Sequence, residues 1–166
     1  MTNVALALGS NLGDRLGNLR AAIVLLGERG VAIKAASSVW ETAPVPADQP
    51  AFLNAAVVGS TVLDAQAVLQ AGKEVEYLLG RRPGRRWGPR PADLDILFFG
   101  DAQIATAELT VPHASIVQRA FVLVPLSEVM RGRLPVLGET ALALLQRLGA
   151  EPDGMRRVGI LATGRG

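Results

Sequence analysis

Asp93-Leu94-Asp95-Ile96-Leu97-Phe98-Phe99-Gly100 is the stretch from which the rest of the chain falls into order. The apolar run is too short for a stable helix and is closed by glycine, so residues 93–99 read as a buried strand. Two residues apart on a strand, the side chains of Asp93 and Asp95 leave the same face, with Cα atoms roughly 6.5–7 Å apart. Their oxygens can converge on hard cations. The chain has no cysteine and one histidine, which leaves magnesium as the natural choice. Two ions about 4 Å apart can be shared by such a pair and by substrate phosphates. The same Asp-x-Asp also describes an acidic strand end in solvent.

Immediately upstream, Arg81, Arg82, Arg85, Arg86 and Arg90 put five positive charges into ten residues. The chain carries a net charge of +2 and a pI near 9.7, yet 12 of its 17 basic residues lie elsewhere and are outnumbered there by 15 acidic ones. The body is mildly acidic with one arginine patch. A compact patch suits a polyanion such as a nucleotide triphosphate better than a long duplex, which wants a broad basic stripe. Guanidinium groups also suit bidentate phosphate contacts. Carboxylates beside arginines compose a site for magnesium and polyphosphate together; an ordinary ion-pair patch is the competing reading.

Working back from residue 80, Leu63 to Leu79 shows a helical face of Leu69, Val75 and Leu79 ended by Gly80, and Phe52 to Val62 reads as a strand. Ala43-Pro44-Val45-Pro46 to Pro50 is a loop, because prolines cannot donate to a central ladder. Val31 to Trp40 alternates as one strand. Leu16, Leu19, Ile23 and Leu26 form a helix face after a cap at Asp14, and Asn3 to Leu8 is a first strand. Forward of residue 100, Ser115 to Met130 reads as mostly helical and divided by Pro125, and Thr140 to Leu148 as a short helix capped by Gly149. Strand, helix, strand, strand, helix, strand is an α+β order, the ferredoxin-like βαββαβ core, with helices on one face of an antiparallel-rich sheet and later elements added to it. With 166 residues and no internal repeat or linker, one domain over 1–166 is expected.

Composition excludes several chemistries. Without cysteine there is no disulfide, thiolate ligand or cysteine nucleophile, and one histidine cannot build a multi-imidazole zinc site. Apolar runs of six or seven residues fall far short of the ~18 of a membrane span, and MTNVALALGSNLGD lacks a basic signal region. A cytoplasmic protein is expected. No G-x-x-x-x-G-K-[ST] is present, and Gly9-Ser10-Asn11-Leu12-Gly13 is too short to be one, so a bound ATP must be held by arginine and metal. Asn54, an amide in an apolar strand, must find partners or cost ~1–3 kcal/mol; it can satisfy backbone groups or read the edge of a heterocycle. With seven aromatics in the chain, Phe52, Trp87 and Phe121 are candidates for stacking on a flat ligand, with core packing the alternative for each.

Arg86-Trp87-Gly88-Pro89-Arg90-Pro91-Ala92-Asp93-Leu94-Asp95-Ile96-Leu97 closely resembles the signature of the 6-hydroxymethyl-7,8-dihydropterin pyrophosphokinases of folate biosynthesis. Gly9 to Asp14 resembles the family's opening. Ser37-Ser38 to Glu41-Thr42, Asp48-Gln49-Pro50 and Phe52 to Ala55 resemble its pterin-side segments, and Thr110 to His113 with Arg119-Ala120-Phe121 its closing ones. The resemblance implies a ferredoxin-like fold and transfer of pyrophosphate from MgATP to the hydroxymethyl oxygen of the dihydropterin, releasing AMP. It implies that Asp93 and Asp95 hold two magnesium ions, and that Arg81, Arg86, Arg90, His113 and Arg119 serve the triphosphate. Glu76, Ile96 and Thr110 would then line the nucleotide pocket. Phe52 and Phe121 would sandwich the pterin, with Asn54 and the backbone at Thr42 and Val45 reading its edge. Trp87 and the arginines of a mobile loop, about residues 81–92, would close over both substrates.

The chain departs from the family's pattern at Ala43, Ala114 and Glu108 and in a loop about one residue shorter between Arg81 and Arg86. Small-molecule substrates, no nucleic acid or membrane partner and a monomer are the expectations. Two alternatives stand beside them: a catalytically silent pterin- or nucleotide-binding relative, and an RNA-binding module of the same fold, which would need exposed aromatics on its central strands.

Overall fold

The computed structural model describes residues 1–43, 48–83, 89–149 and 154–161. Its elements are β1 (Thr2–Ser10), α1 (Arg15–Glu28), β2 (Val31–Ala36), β3 (Ser38–Thr42), β4 (Phe52–Thr61), α2 (Ala65–Leu78) and β5 (Asp93–Phe99). They are followed by the two-residue strands β6 (Ile104–Ala105) and β7 (Thr110–Val111), a 3₁₀ turn (Ile116–Gln118), α3 (Ala120–Val129), α4 (Ala141–Leu148) and β8 (Arg156–Ile160). The main sheet is antiparallel throughout and runs β5-β1-β4-β3-β8, with β2 also on β4. Caps open the helices where short polar side chains stand: Asp14 accepts from the Gly17 N–H, Asp64 from Ala67 and Thr140 from Ala143.

Helices cover both faces of the sheet. On one, Leu19 and Leu26 of α1 and Val68 and Val75 of α2 pack against Val4, Leu6 and Leu8 of β1, Val57 of β4 and Ile96 of β5. On the other, Leu123 and Leu126 of α3 and Leu144 of α4 pack against Ala5, Ala56, Leu97 and Phe98. The core helices α1 and α2 thus share one face, as expected, and the later helices α3 and α4 cover the other. A strand buried on both faces needs apolar residues at successive positions, which is why β5 reads as a continuous run. Its pairing with β1 also shifts by one residue between Ala5 and Leu6, so that Leu97 and Phe98 both enter the second core.

Two expectations are corrected, and one segment gains an element that no expectation covered. The strand expected over residues 31–40 is two strands, interrupted at Ser37. There the Ser37 hydroxyl oxygen accepts the Ala56 N–H (2.9 Å) while the Ser37 N–H donates to the Ala56 carbonyl (2.8 Å). A side chain thus replaces a main-chain acceptor, and β3 beyond it pairs with both β4 and β8. Pro125 does not divide a helix: it lies inside α3, and the break falls at Arg119. The hydrogen bond the proline forgoes is to the carbonyl of Phe121, in the first turn at an exposed position where water can replace it. Finally, β8 occupies a segment that showed no element in the sequence.

Candidate active site

Register alone assembles the site. Gly9 of β1 lies opposite Asp93 of β5 on one side and Asn54 of β4 on the other, and Ala7 lies opposite Asp95 and Ala56. Directly opposed residues share a face, so both carboxylates and the Asn54 amide project from the α3 side. Asp93 and Asn54 are two strand spacings, roughly 10 Å, apart, and the row between them is glycine and alanine. A Cβ on Gly9 would lie 3.2 Å from Asn54 Oδ1, so glycine there gives the amide its place over the sheet. The result is a cleft of about 300 Å³ with Ala7 and Gly9 as floor, Thr42, Ala43, Phe52 and Asn54 on one side and Arg90, Asp93 and Asp95 on the other, and Arg119, Phe121 and Val122 from the start of α3 beside them.

The neutral side is built by strands. Asn54 is buried, and its Nδ2 donates to the Thr42 hydroxyl at 2.7 Å, joining the ends of β3 and β4. Phe52 begins β4, and Phe121, 38% exposed, stands at the first turn of α3. The Arg119 guanidinium lies 5.5 Å from the centre of the Phe121 ring.

On the charged side the groups hold one another. Asp93 Oδ1 accepts from Arg81 Nη1 (3.2 Å) and Arg90 Nη1 (3.3 Å). The same Arg81 nitrogen donates to Glu76 Oε2 (2.7 Å), which also accepts the Leu94 N–H (2.8 Å) and so ties α2 to the head of β5. Burial raises the Glu76 carboxyl to about 6, against the Leu94 N–H and Arg81, which lower it; the Asp93 and Asp95 charges add to the rise. Asp95 is also pushed above the usual carboxylate range, first by desolvation and then by Asp93, with His113, Arg119 and Arg81 opposing. His113 Nε2 lies 3.9 Å from Asp95 Oδ1, while its Nδ1 accepts the Ser115 N–H and its main-chain N–H donates to the Leu97 carbonyl on β5.

Asp93, Asp95, Arg90, Arg119, Phe52, Asn54, Thr42 and Phe121 therefore line one cleft, as the sequence brought them together. Glu76, Arg81 and His113 adjoin its carboxylates without lining it. Thr110 is exposed on β7 beside β5. The Ile96 side chain does not join this group: it is buried in the core on the opposite face. Val45, Arg85, Arg86 and Trp87 lie outside the described residues. Sequence reasoning gave no role to Asn11, which is fully buried and hydrogen-bonded to Gln49 and Arg90, or to Glu128, which accepts from Ser38 and the Trp40 indole and holds α3 to β3. Glu108 accepts from Gln66 Nε2 (2.8 Å).

Two carboxylates on one face, Asp95 resisting ionisation first through desolvation and then through the Asp93 charge, fit a hard divalent cation, whose charge would offset both. Among the described residues no group of three or more acidic or imidazole side chains assembles, so the protein offers these two and leaves coordination positions for substrate oxygens and water.

Residues 5–131 match the family model described as 7,8-dihydro-6-hydroxymethylpterin-pyrophosphokinase. The 2-amino-4-hydroxy-6-hydroxymethyldihydropteridine pyrophosphokinase of Methylorubrum extorquens is 41% identical over 160 residues, 95% of this chain and 99% of its own length. The Bacillus subtilis protein of the same name is 47% identical over 132 residues, covering 78% and 79%. The mitochondrial folate synthesis bifunctional protein of Arabidopsis thaliana is 46% identical over 128 residues, and the matched region spans 23% of its length. In fold, the wild-type Plasmodium falciparum HPPK-DHPS with pteroate superimposes with a TM-score of 0.73 at 15% identity, over 94% of this chain and 47% of that one.

Proposed function

The chain belongs to the 7,8-dihydro-6-hydroxymethylpterin pyrophosphokinase family, and from that premise we propose that it transfers pyrophosphate from ATP to the hydroxymethyl oxygen of 6-hydroxymethyl-7,8-dihydropterin, releasing AMP. The observation that carries the proposal is one cleft in which an amide and two aromatic rings adjoin two carboxylates and two arginines. A flat heterocycle has Phe52 and Phe121 for its faces and Asn54 and the main chain near Thr42 for its edge. The triphosphate has Arg81, Arg90, Arg119 and His113. Two magnesium ions on Asp93 and Asp95 would neutralise phosphate charge and acidify the attacking alcohol.

The reaction is an in-line displacement. The alcohol oxygen bonds to the β-phosphorus, the bond from that phosphorus to the oxygen bridging the α-phosphorus breaks, AMP departs with the electron pair, and the alcohol proton passes to the surroundings. No side chain need form a covalent bond, so the residues act by position and charge. Asn54, fixed by Thr42, orients the ring so that the hydroxymethyl group faces the carboxylates. Arg81 and Arg90, which contact Asp93 here, take up charge on the phosphates. His113, with Nδ1 accepting from Ser115, presents its Nε2 side towards Asp95 and the phosphate end. Glu76 acts through Arg81 and the head of β5, and Ile96 by its main chain.

We read the sheet, with β2 and β3 as one interrupted strand, as the ferredoxin-like arrangement within one domain. A monomer in the cytoplasm, acting on small molecules, fits this reading. The RNA-binding alternative is disfavoured by two carboxylates at the head of β5, and a silent relative by the presence of both acids and His113. AMP release from ATP and the dihydropterin is expected to require magnesium and to vanish in Asp95→Ala. ADP in place of AMP, or no turnover with both substrates bound, would overturn the proposal.

A further inference from the structure

Phe52 stands on β4 and Phe121 on α3, so the gap between the two rings depends on how α3 sits on the sheet. Packing of Leu123 and Leu126 holds the helix down, but apolar contact is non-directional and does little to fix the helix lengthwise. Glu128 is the one charged side chain of α3, and Ser127, its other polar one, bonds within the helix to the Val124 carbonyl. Glu128 reaches the sheet. Its Oε1 accepts the Ser38 hydroxyl (2.7 Å), and its Oε2 accepts the Ser38 main-chain N–H (3.2 Å) and the Trp40 indole N–H (3.0 Å). Three donors on one carboxylate make a directional, charge-assisted fastening. Phe121 and Glu128 are seven residues apart, close to two turns, and so share one stripe of the helix about 10 Å apart. Ser38, Trp40 and Thr42 share one face of β3, where Trp40 lies directly opposite Asn54. The helix thus runs against β3: Phe121 lines the cleft together with Thr42, and Glu128 is tied to Ser38 at the other end of the strand.

We propose, on the pterin reading above, that Glu128 is a positioning residue: its bonds to β3 fix α3 lengthwise and so hold the Phe121 ring at stacking distance from Phe52. Glu128 lies outside the lining of the cleft and acts only through the helix. Stacking depends on the separation and offset of the rings, so a slide of α3 costs affinity for the flat ligand first. Arg119, at the start of the same helix, is one of four side chains assigned to the triphosphate, so nucleotide affinity depends on α3 less. A second route runs from Glu128 through Trp40 to Asn54 and bypasses Phe121. The two routes differ in additivity: residues that act through one another give non-additive losses, whereas independent ones add.

The test is the dissociation constant of 6-hydroxymethyl-7,8-dihydropterin, by calorimetry well below each protein's melting temperature, with magnesium and an α,β-methylene analogue of ATP present throughout. The proteins are wild type, Glu128→Leu, Glu128→Gln, Phe121→Ala and the double variant Glu128→Leu/Phe121→Ala. Glu128→Leu is expected to weaken pterin binding about fivefold or more, and the same change on the Phe121→Ala background less than about twofold. Glu128→Gln can accept the Ser38 and Trp40 N–H groups on its oxygen and donate its amide to the Ser38 hydroxyl, so it is expected to keep the wild-type constant. If Glu128→Leu does not fold, Ser38→Ala/Trp40→Phe takes its place in the cycle, since it removes both side-chain donors and leaves α3 unaltered. Wild type that binds no pterin, or Phe121→Ala that binds it as well as wild type, overturns the ring-stacking reading and the inference with it. Pterin affinity that falls in Phe121→Ala but stays at the wild-type value in Glu128→Leu, as a merely structural residue would leave it, overturns the inference alone. So does a loss that is the same with and without Phe121.

Discussion

At one end of the cleft Thr42, Phe52 and Asn54 sit on strand ends and are placed by the sheet; at the other Glu76, Arg81, Arg90 and Asp93 are placed by one another. The neutral end needs no compensating charge, so its geometry can be set before any ligand arrives. The charged end gathers carboxylates and arginines whose pairings here are those a metal and a phosphate would replace, so its ground state resists what it is built to bind. The unfavourable part is the burial of charge, which desolvation shows at both Asp95 and Glu76 and which the surrounding fold sustains. The two ends should therefore answer mutation differently: function against stability at the charged end, affinity without stability at the neutral one.

Asp95→Asn gives the largest expected effect. The ionised carboxyl is disfavoured by desolvation and by Asp93, so the neutral amide is expected to raise the melting temperature at pH 7. It also removes a charged oxygen ligand, and turnover is expected to fall on the order of 10³-fold. AMP release and a thermal melt on the same preparation check both. An active variant, or an inactive one that also melts lower, would break the contrast between the two ends.

Glu76 extends the contrast to pH. Its carboxyl is raised to about 6 from 4.5, chiefly by burial, so the folded state holds the proton more tightly than the unfolded chain. That contribution is fully present below pH 4.5 and is lost as pH rises through 6. Wild type is expected to lose about 2 kcal/mol of stability from this group across that window. Glu76→Gln, neutral throughout, is expected to flatten the slope. Urea unfolding at pH 4.5 and pH 7 measures it, and equal slopes in the two proteins would assign the pH dependence elsewhere.

The parts legible in the sequence are those set by local period. Asp93 and Asp95 share a face because strand side chains alternate, and the caps at Asp14 and Thr140 act within three residues. What was not legible depends on partners far along the chain. Ser37 breaks a strand through Ala56, and Asn11 acquires its meaning from Gln49 and Arg90, 38 and 79 residues away. The segment Arg156–Ile160 is mostly exposed and lacks an apolar stripe; it is a strand because β3 offers it an edge. The motif that places Ile96 beside the nucleotide says nothing of its side chain, which the alternation that aims Asp95 into the cleft sends to the opposite core.

The smallest effect tests whether the two ends are separable at all. Phe121 is 38% exposed, so Phe121→Ala is expected to lower the melting temperature less than truncation of the fully buried Phe98 does. Losing one face of a ring stack is expected to raise the KM for the dihydropterin about tenfold, and Phe121→Trp to restore it. The same ring, however, lies 5.5 Å from the Arg119 guanidinium, and Arg119 is assigned to the phosphate side. If the ring serves only the pterin, the KM for ATP stays near the wild-type value in Phe121→Ala. If its KM rises in step with that of the pterin, the ring also holds Arg119 in place, and the boundary between a preformed neutral end and a self-paired charged end runs through Phe121 itself.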